Sequence, residues 1–374
     1  MRAKKIYFRS ITNCSWWVTL LMIFLVLSCK QSIPESDPVV GYKSEQQMAN
    51  PGYAMKVISH DMPVFESYVG VEDVNSKRPI NENSLFNVGS ITKTFVAFAI
   101  LNLADEGKLK LSDSLIKFFP DFKNKEIGKH VRIYHLLTHS SGLPDNRHPY
   151  QDSIYYLTAD DAQNWAPILQ NDTLLFPPGS RFEYSNPAFN ALALMVQQIT
   201  GVKWQDYVKN NIFDKANMAK STITDGSHPD SSVCHAYVYE GSKWKELDYG
   251  EEPTFNASGN GGVWSSVNEL YLYEKAILSH SFTNEKVNAL ARNIYPLKEW
   301  KDTIPSVLGL SWFISSFQGH TMYSHTGSQG GFTADYVSIP EQGFFYCILS
   351  NTPLKILETR AQVLKMGIEK GWIK

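Results

Sequence analysis

Strand-like segments crowd both ends of this 374-residue chain, and helical segments fill the space between them. Near the amino end, residues 54–59 and 64–71 are short apolar runs separated by HDMP (60–63), the pattern of a β-hairpin. From residue 308 onward come GLSWFISS, HTMYSHTG, FTADYVSIP and GFFYCILSN, each set off by turn residues. A chain that is sheet-forming at both ends and helical in its middle has one economical solution. It builds a single antiparallel sheet from both ends and carries an α-rich insertion, here about 110–255. The expected class is therefore α+β, an α/β sandwich. The first helix, from Ser90, and the last, about 357–370, should cover the sheet. A cleft should open where sheet and insertion meet, a common place for ligand sites.

The first 28 residues stand outside that plan. MRAKKIYFR carries four positive charges and no acid, and residues 16–27 are an apolar run of 12 with a single threonine. That run is too short to span a bilayer and suits the h-region of a signal peptide. It ends in VLSC, which resembles a bacterial lipobox, so Cys29 is the expected lipidation site and new amino terminus. Plain secretion is the alternative. Residues 29–52 are polar with two prolines before position 39 and read as a tether, leaving 53–374 as the catalytic domain. The expected location is an exported lipoprotein facing the periplasm, held to a membrane by its lipid.

Charge narrows the partners. Removing the four leader charges from 35 basic residues leaves 31 against 37 acidic ones, a net charge of −6. No Lys/Arg stripe is present, so nucleic acid is not an expected partner. Cys234 and Cys347 are the other cysteines outside the leader. Cys347 lies in FFYCILS, where a cysteine reads as a small buried hydrophobe. His135 and His139 are four apart, but the glutamate of H-E-x-x-H is missing, and both read as structural. No metal site and no cofactor is expected.

Helix punctuation is clear at several points. SNPAFNALALMVQQITG has Pro187 in its first turn and Gly201 at its end. Ser266 and Glu269 are spaced as a capping box. The helix after GSITKTF (89–95) should close at Gly107. That helix is apolar nearly all round, which marks it as buried. Lys93 is nonetheless in its first turn, where the helix dipole is already positive. An N-cap role for Ser90 with Lys93 as a surface charge is the plain reading; it leaves a desolvated cation at the wrong end of a buried helix unexplained.

Three short stretches need a common explanation: Ser90-Ile-Thr-Lys93, Tyr184-Ser-Asn186 and His325-Thr326-Gly327. Singly, Asn186 is a good N-cap, Tyr184 a core aromatic and His325 a strand end. Together and in this order, S-x-x-K, Y-x-N and a K-T-G-like triad on a strand resemble the serine β-lactamase and penicillin-binding protein family. The branch is the one holding class C β-lactamases, D-alanyl-D-alanine carboxypeptidases and related esterases. LLTHSSGLPD (136–145), FPPGSRFEYSN (176–186) and ASGNGGVWSSVNEL (257–270) support the resemblance, which covers about 53–370. It implies a β-lactamase/transpeptidase-like fold and a small-molecule or peptide substrate. One departure matters: the third motif begins with His325 instead of lysine, a form similar to peptidase and esterase members.

The chemistry agrees with the resemblance. A serine hydroxyl needs a base before it becomes a nucleophile, and residues three apart on a helix share a face. Free tyrosine and lysine both titrate near pH ~10. Burying them together favours either phenolate or neutral amine, and each can take the serine proton. Ser90 starts a helix, so its N–H is expected to be free to serve an oxyanion hole. The resemblance supplies a second N–H from Ser328. Glycines 327, 330 and 331 would let a substrate lie as an added strand. Asn186 is expected to hold Lys93 or the substrate amide. The expected function is acyl transfer through Ser90, as a D-Ala-D-Ala-type peptidase or an esterase. A class C-like β-lactamase is the alternative within the family, and a non-catalytic binding or scaffolding protein is the alternative outside it. At His325, an ordinary histidine value near ~6.5 predicts activity that responds to pH in that range.

Overall fold

The computed structural model describes residues 37–42, 50–145, 147, 158–223, 233–247, 258–301 and 307–374. Cys29 and the leader lie outside them, as do most of the tether and parts of the loops at 146–157, 224–232 and 248–257. Residues 38–374 form one compact unit.

In chain order the strands are β1 (Tyr53–Ser59), β2 (Met62–Val69), β3 (Phe86–Asn87), β4 (Thr222–Ile223), β5 (Tyr237–Glu240), β6 (Lys243–Glu246), β7 (Val263–Ser265), β8 (Phe313–Phe317), β9 (His320–Gln329), β10 (Phe332–Ile339) and β11 (Phe344–Ser350). The helices that position the site are α1 (Thr92–Asp105), α2 (Ile133–Leu137), α3 (Asp161–Leu169), α4 (Asn186–Thr200), α5 (Val267–Leu278), α6 (Glu285–Arg292) and α7 (Ile356–Glu369).

The principal sheet has the order β2-β1-β11-β10-β9-β8, and every neighbouring pair is antiparallel. Both ends of the chain thus meet at its centre, where β1 pairs with β11 in the register Tyr53↔Ser350 to Ser59↔Phe344. The hairpin turn is two residues, tighter than the four-residue gap in the sequence suggests. His60 and Asp61 both have positive φ (48° and 62°), the type I′ geometry that matches strand twist. Met62 and Pro63 already belong to β2.

Alternation divides the core. Tyr53, Met55, Val57, Tyr346 and Ile348 face one side and pack on Val363 and Leu364 of α7. Ala54, Ile58, Phe345, Cys347 and Leu349 face the other and join the large helical core. Every residue of β11 is buried, as expected of a strand covered on both faces. Cys234 and Cys347 are both buried and unbridged.

Two expectations need correction here. The last helix covers the sheet, but the helix lying directly against β1 and β11 is α5, not α1. Lys56 Nζ of β1 donates to Asn268 Oδ1 at 2.6 Å, and the Tyr271 ring sits 5.4 Å from Phe345. The helix after Ser90 is instead enclosed by other helices. The tether also joins the fold earlier than position 53: Val39 and Tyr42 pack against the α7-side core, and Val40 N donates to Thr359 Oγ1 at 3.0 Å.

Helix ends follow the sequence in most places. Gly107 and Gly201 both take φ of +75°, closing α1 and α4. At α5 half of the capping box forms: Ser266 Oγ accepts from Glu269 N at 3.2 Å. The Glu269 carboxylate turns away and accepts from Lys220 N and Ser221 N instead.

Candidate active site

Ser90 lies in a single 3-10 turn, Gly89–Ile91, that runs directly into α1. It does not cap the helix: the cap residue of α1 is Ile91, that of the turn is Val88, and no side chain closes either end. The turn is held by backbone packing. A Cβ on Gly89 (φ +51°) would stand 2.7 Å from Ser328 N, and one on Gly327 would stand 2.1 Å from Val88 O. Only glycine permits the turn and β9 to approach so closely. The result places the starts of two N–H-bearing segments, at Ser90 and Ser328, on the same side of one cleft. Asn87 ties the turn further, accepting from Gly89 N at 2.9 Å and donating to Gly261 O at 3.0 Å.

Lys93 is wholly buried. Its Nζ lies 2.8 Å from Ser90 Oγ and donates to Asn260 O at 2.7 Å. Among the described residues no carboxylate pairs with it. Burial holds its amine well below the usual lysine range, and the charge of Arg147 pushes the same way. The segment that presents Asn260 is itself fixed. Ser258 Oγ donates to Asn260 Oδ1 at 2.5 Å, and Gly259 N donates to the buried Asp161 carboxylate of α3 at 2.8 Å. A Cβ at position 259 would stand 2.6 Å from Ala193 Cβ and 2.8 Å from Phe189 O, and one at 261 would displace the Gln329 amide.

Tyr184 enters from the segment before α4. Its ring centroid is 5.2 Å from Lys93 Nζ. The ring is 37% exposed along the cleft. Burial of the remainder nonetheless pushes its hydroxyl up to about 12, with the Ser90 hydroxyl acting in the opposite direction. The two shifts together select the neutral-amine alternative for the Lys93–Tyr184 pair over the phenolate. Asn186 does not cap the helix and does not bond Lys93. Ser185 is the N-cap, its Oγ accepting from Ala188 N at 3.3 Å, and Asn186 is the first helical residue. Asn186 lines the cleft, whereas the group bonded to Lys93 is the Asn260 carbonyl.

The third motif lies on β9. Pairing with β8 ends at Phe313↔Ser324, while β10 continues to pair as far as Gln329. Thr326, Gly327 and Ser328 therefore present an edge to the cleft on the β8 side. His325 is 2% exposed, and its Nδ1 contacts Thr326 O at 2.7 Å. That carbonyl can only accept, so the Nδ1 carries the proton. Burial, helped by the Lys93 charge, pushes the ring down to about 3. Burial is the larger cause, so the ring stays neutral whether or not Lys93 is charged. The expected pH response near ~6.5 from His325 is overturned: the environment removes its titration from that range.

Together these groups line a cavity of about 850 Å³ whose apolar wall includes Phe182, Leu247, Phe313 and Ile356. No lysine or arginine lines it among the described residues. No cluster of metal-ligating side chains occurs among the described residues.

Sequence reasoning singled out Ser90, Lys93, Tyr184, Asn186, His325, Thr326, Gly327 and Ser328, and the fold brings all eight to this cleft or its floor. It missed Asn260, whose only signal was the glycine-rich SGNGG.

The Beta-lactamase family model matches residues 43–363. Penicillin-binding protein 4* of Bacillus subtilis (strain 168) is 26% identical over 277 residues, covering 71% of this chain and 60% of that protein. The chain thus spans about three-fifths of that relative's length. The octameric penicillin-binding protein homologue from Pyrococcus abyssi superposes with a TM-score of 0.73 at 25% identity, over 85% of this chain and 74% of that one. The D-amino acid amidase from Ochrobactrum anthropi SV3 shares the fold, with a TM-score of 0.70 at 17% identity over 86% of this chain and 95% of that one. With its serine, buried lysine and tyrosine in one cleft and a family model matching most of its length, this chain belongs to the Beta-lactamase family.

Proposed function

We propose that the chain is a serine hydrolase that forms an acyl-enzyme at Ser90 and acts on esters or amides that lack a carboxylate beside the scissile bond. The observation that carries this reading is Lys93. A fully buried amine 2.8 Å from a serine hydroxyl, with no carboxylate partner among the described residues, is a base held ready in its neutral form. In this reading one N–H of Lys93 is spent on Asn260 O, which aims the lone pair at Ser90. Lys93 takes the hydroxyl proton as Ser90 Oγ attacks the substrate carbonyl. The N–H groups of Ser90 and Ser328 receive the oxyanion. Tyr184, protonated at rest, passes a proton to the leaving group and recovers one from the Lys93 ammonium. Water then attacks the acyl-enzyme by the reverse route.

The substrate preference rests on the cleft's charge. A neutral His325 and, among the described residues, walls without lysine or arginine offer no permanent cation to a carboxylate. This favours esters and uncharged amides over D-Ala-D-Ala termini and over β-lactams, both of which carry a carboxylate near the reacting carbonyl. Class C-like β-lactamase activity is therefore the second reading.

The test is a turnover screen with short-chain esters, amino acid amides, D-Ala-D-Ala peptides and a chromogenic cephalosporin, alongside labelling by a fluorescent fluorophosphonate. Ser90→Ala should abolish labelling and turnover at a stability cost of about 1 kcal/mol or less. Efficient cephalosporin turnover with inert esters and amides would reverse the substrate preference. Labelled Ser90→Ala would remove the nucleophile. The leader reading adds a location: Cys29 carries a lipid, so full-length protein should partition with membranes and Cys29→Ser should not.

A further inference from the structure

Tyr184 sits on an irregular segment, so no helix or strand fixes the direction of its ring. One residue touches that segment on both sides and on its face. His139 O accepts from Glu183 N at 2.8 Å. His139 Nδ1 accepts from Ser185 N at 3.0 Å. Its ring stacks on the Tyr184 ring, with centroids 4.3 Å apart and planes 22° from parallel. Phe182 and Phe189 close around the imidazole at 5.8 and 5.2 Å, and Phe189 also lies 5.8 Å from Lys93 Nζ.

We propose that His139 is a positioning residue that clamps Tyr184 against Lys93 and Ser90, using its carbonyl, its Nδ1 and its ring face at once. The inference rests on the reading of Ser90 as nucleophile. Three features single out this histidine for that task. It is 2% exposed, so its ring is locked in place. Its backbone takes φ of +52°, in the left-handed region that histidine and asparagine tolerate better than most side chains. Its Nδ1 must stay unprotonated to accept from Ser185, and burial keeps the ring neutral well below the usual histidine range. Phenylalanine would supply the flat face without the acceptor, and asparagine the acceptor without the face.

Those two substitutions are the test. His139→Asn suits the left-handed backbone and offers a short acceptor; His139→Phe preserves the stack. The readout is the single-turnover rate of acylation by a short-chain ester or an amino acid amide, whose leaving group is the one Tyr184 protonates, per active site titrated with a fluorophosphonate, with half-saturation and thermal stability measured in parallel. We expect each variant to lose 10- to 100-fold in acylation rate while half-saturation moves less than threefold. In a Tyr184→Phe background the same substitutions should add less than twofold, because the group they position is gone. Wild-type acylation per site in both variants, or full additivity with Tyr184→Phe, would overturn the inference and leave His139 as scaffold only. Labelling of Ser90→Ala at the wild-type rate is a different failure: it removes the nucleophile and the inference with it.

Discussion

Two buried basic side chains in this molecule have opposite fates. Arg292 of α6 and Lys93 of α1 are each out of solvent and each beside a tyrosine. Arg292 faces the Glu274 carboxylate with two bonds of 2.9 and 2.5 Å. Tyr336 OH and Ser338 Oγ both donate to the same carboxylate, and the guanidinium stacks 4.4 Å over Trp312. Its affinity for its proton rises because Glu274 outweighs the cost of burial. Lys93 has Tyr184 and Ser90 but no carboxylate among the described residues, and its proton is loosened. Two things differ: a guanidinium keeps its proton in any protein setting, and only Arg292 has a carboxylate to offset its burial. A buried charge so paired is a structural tie, whereas burial of a lysine amine without a carboxylate loosens its proton toward the role of a base.

The comparison can be broken at several points. The largest effect is expected at the reactive end. Lys93→Met should lower acylation by a short-chain ester, and labelling by a fluorophosphonate, at least 1000-fold while costing about 1 kcal/mol of stability for the unpaired Asn260 carbonyl. In the wild type, acylation should rise with pH as the amine loses its proton and reach its plateau well below the ordinary lysine value. Lys93→Met should lack that limb. A fully active Lys93→Met, or a plateau only near pH ~10.5, would show that Lys93 is no more a base than Arg292 is.

The converse variant comes next. Arg292→Met leaves Glu274 buried without its partner and should cost about 3–5 kcal/mol by thermal or urea unfolding. Acylation per titrated site in the folded fraction should change less than threefold. A large loss of acylation at unchanged stability would erase the distinction between the two cations.

The smallest effect is expected at His325. Neutral across the working range, it should contribute no limb: His325→Gln should keep the shape of the pH–acylation profile, with rates within about threefold. A wild-type limb near pH ~6.5 that vanishes in His325→Gln would mean that the ring titrates despite its burial.

Much of this was legible in the sequence because it is local. The strand runs at both ends, the hairpin, the glycine closures at positions 107 and 201, and the Ser90–Lys93 spacing all depend on residues a few places apart. The errors share a cause. Asn186 and Ser185 are both good caps, and one position of offset decided which capped α4. The Ser266–Glu269 pair is spaced for a capping box, but Glu269 found better donors at 220 and 221. The contacts of His139 with Glu183 and Ser185 were hidden for the same reason: they span more than 40 residues in sequence.

What the sequence by itself determined is the sheet-forming ends, the helical middle and the identities of the serine, lysine and tyrosine. What only the tertiary structure decided is the state of those groups. Lys93 and the Asn260 carbonyl that aims it are 167 residues apart. Whether a lysine is a surface charge, an ion-pair partner or a base depends on the water it has lost and the charges it meets through space. Neither is written in its neighbours along the chain. The same holds at His325, whose imidazole is ordinary by type and neutral by burial.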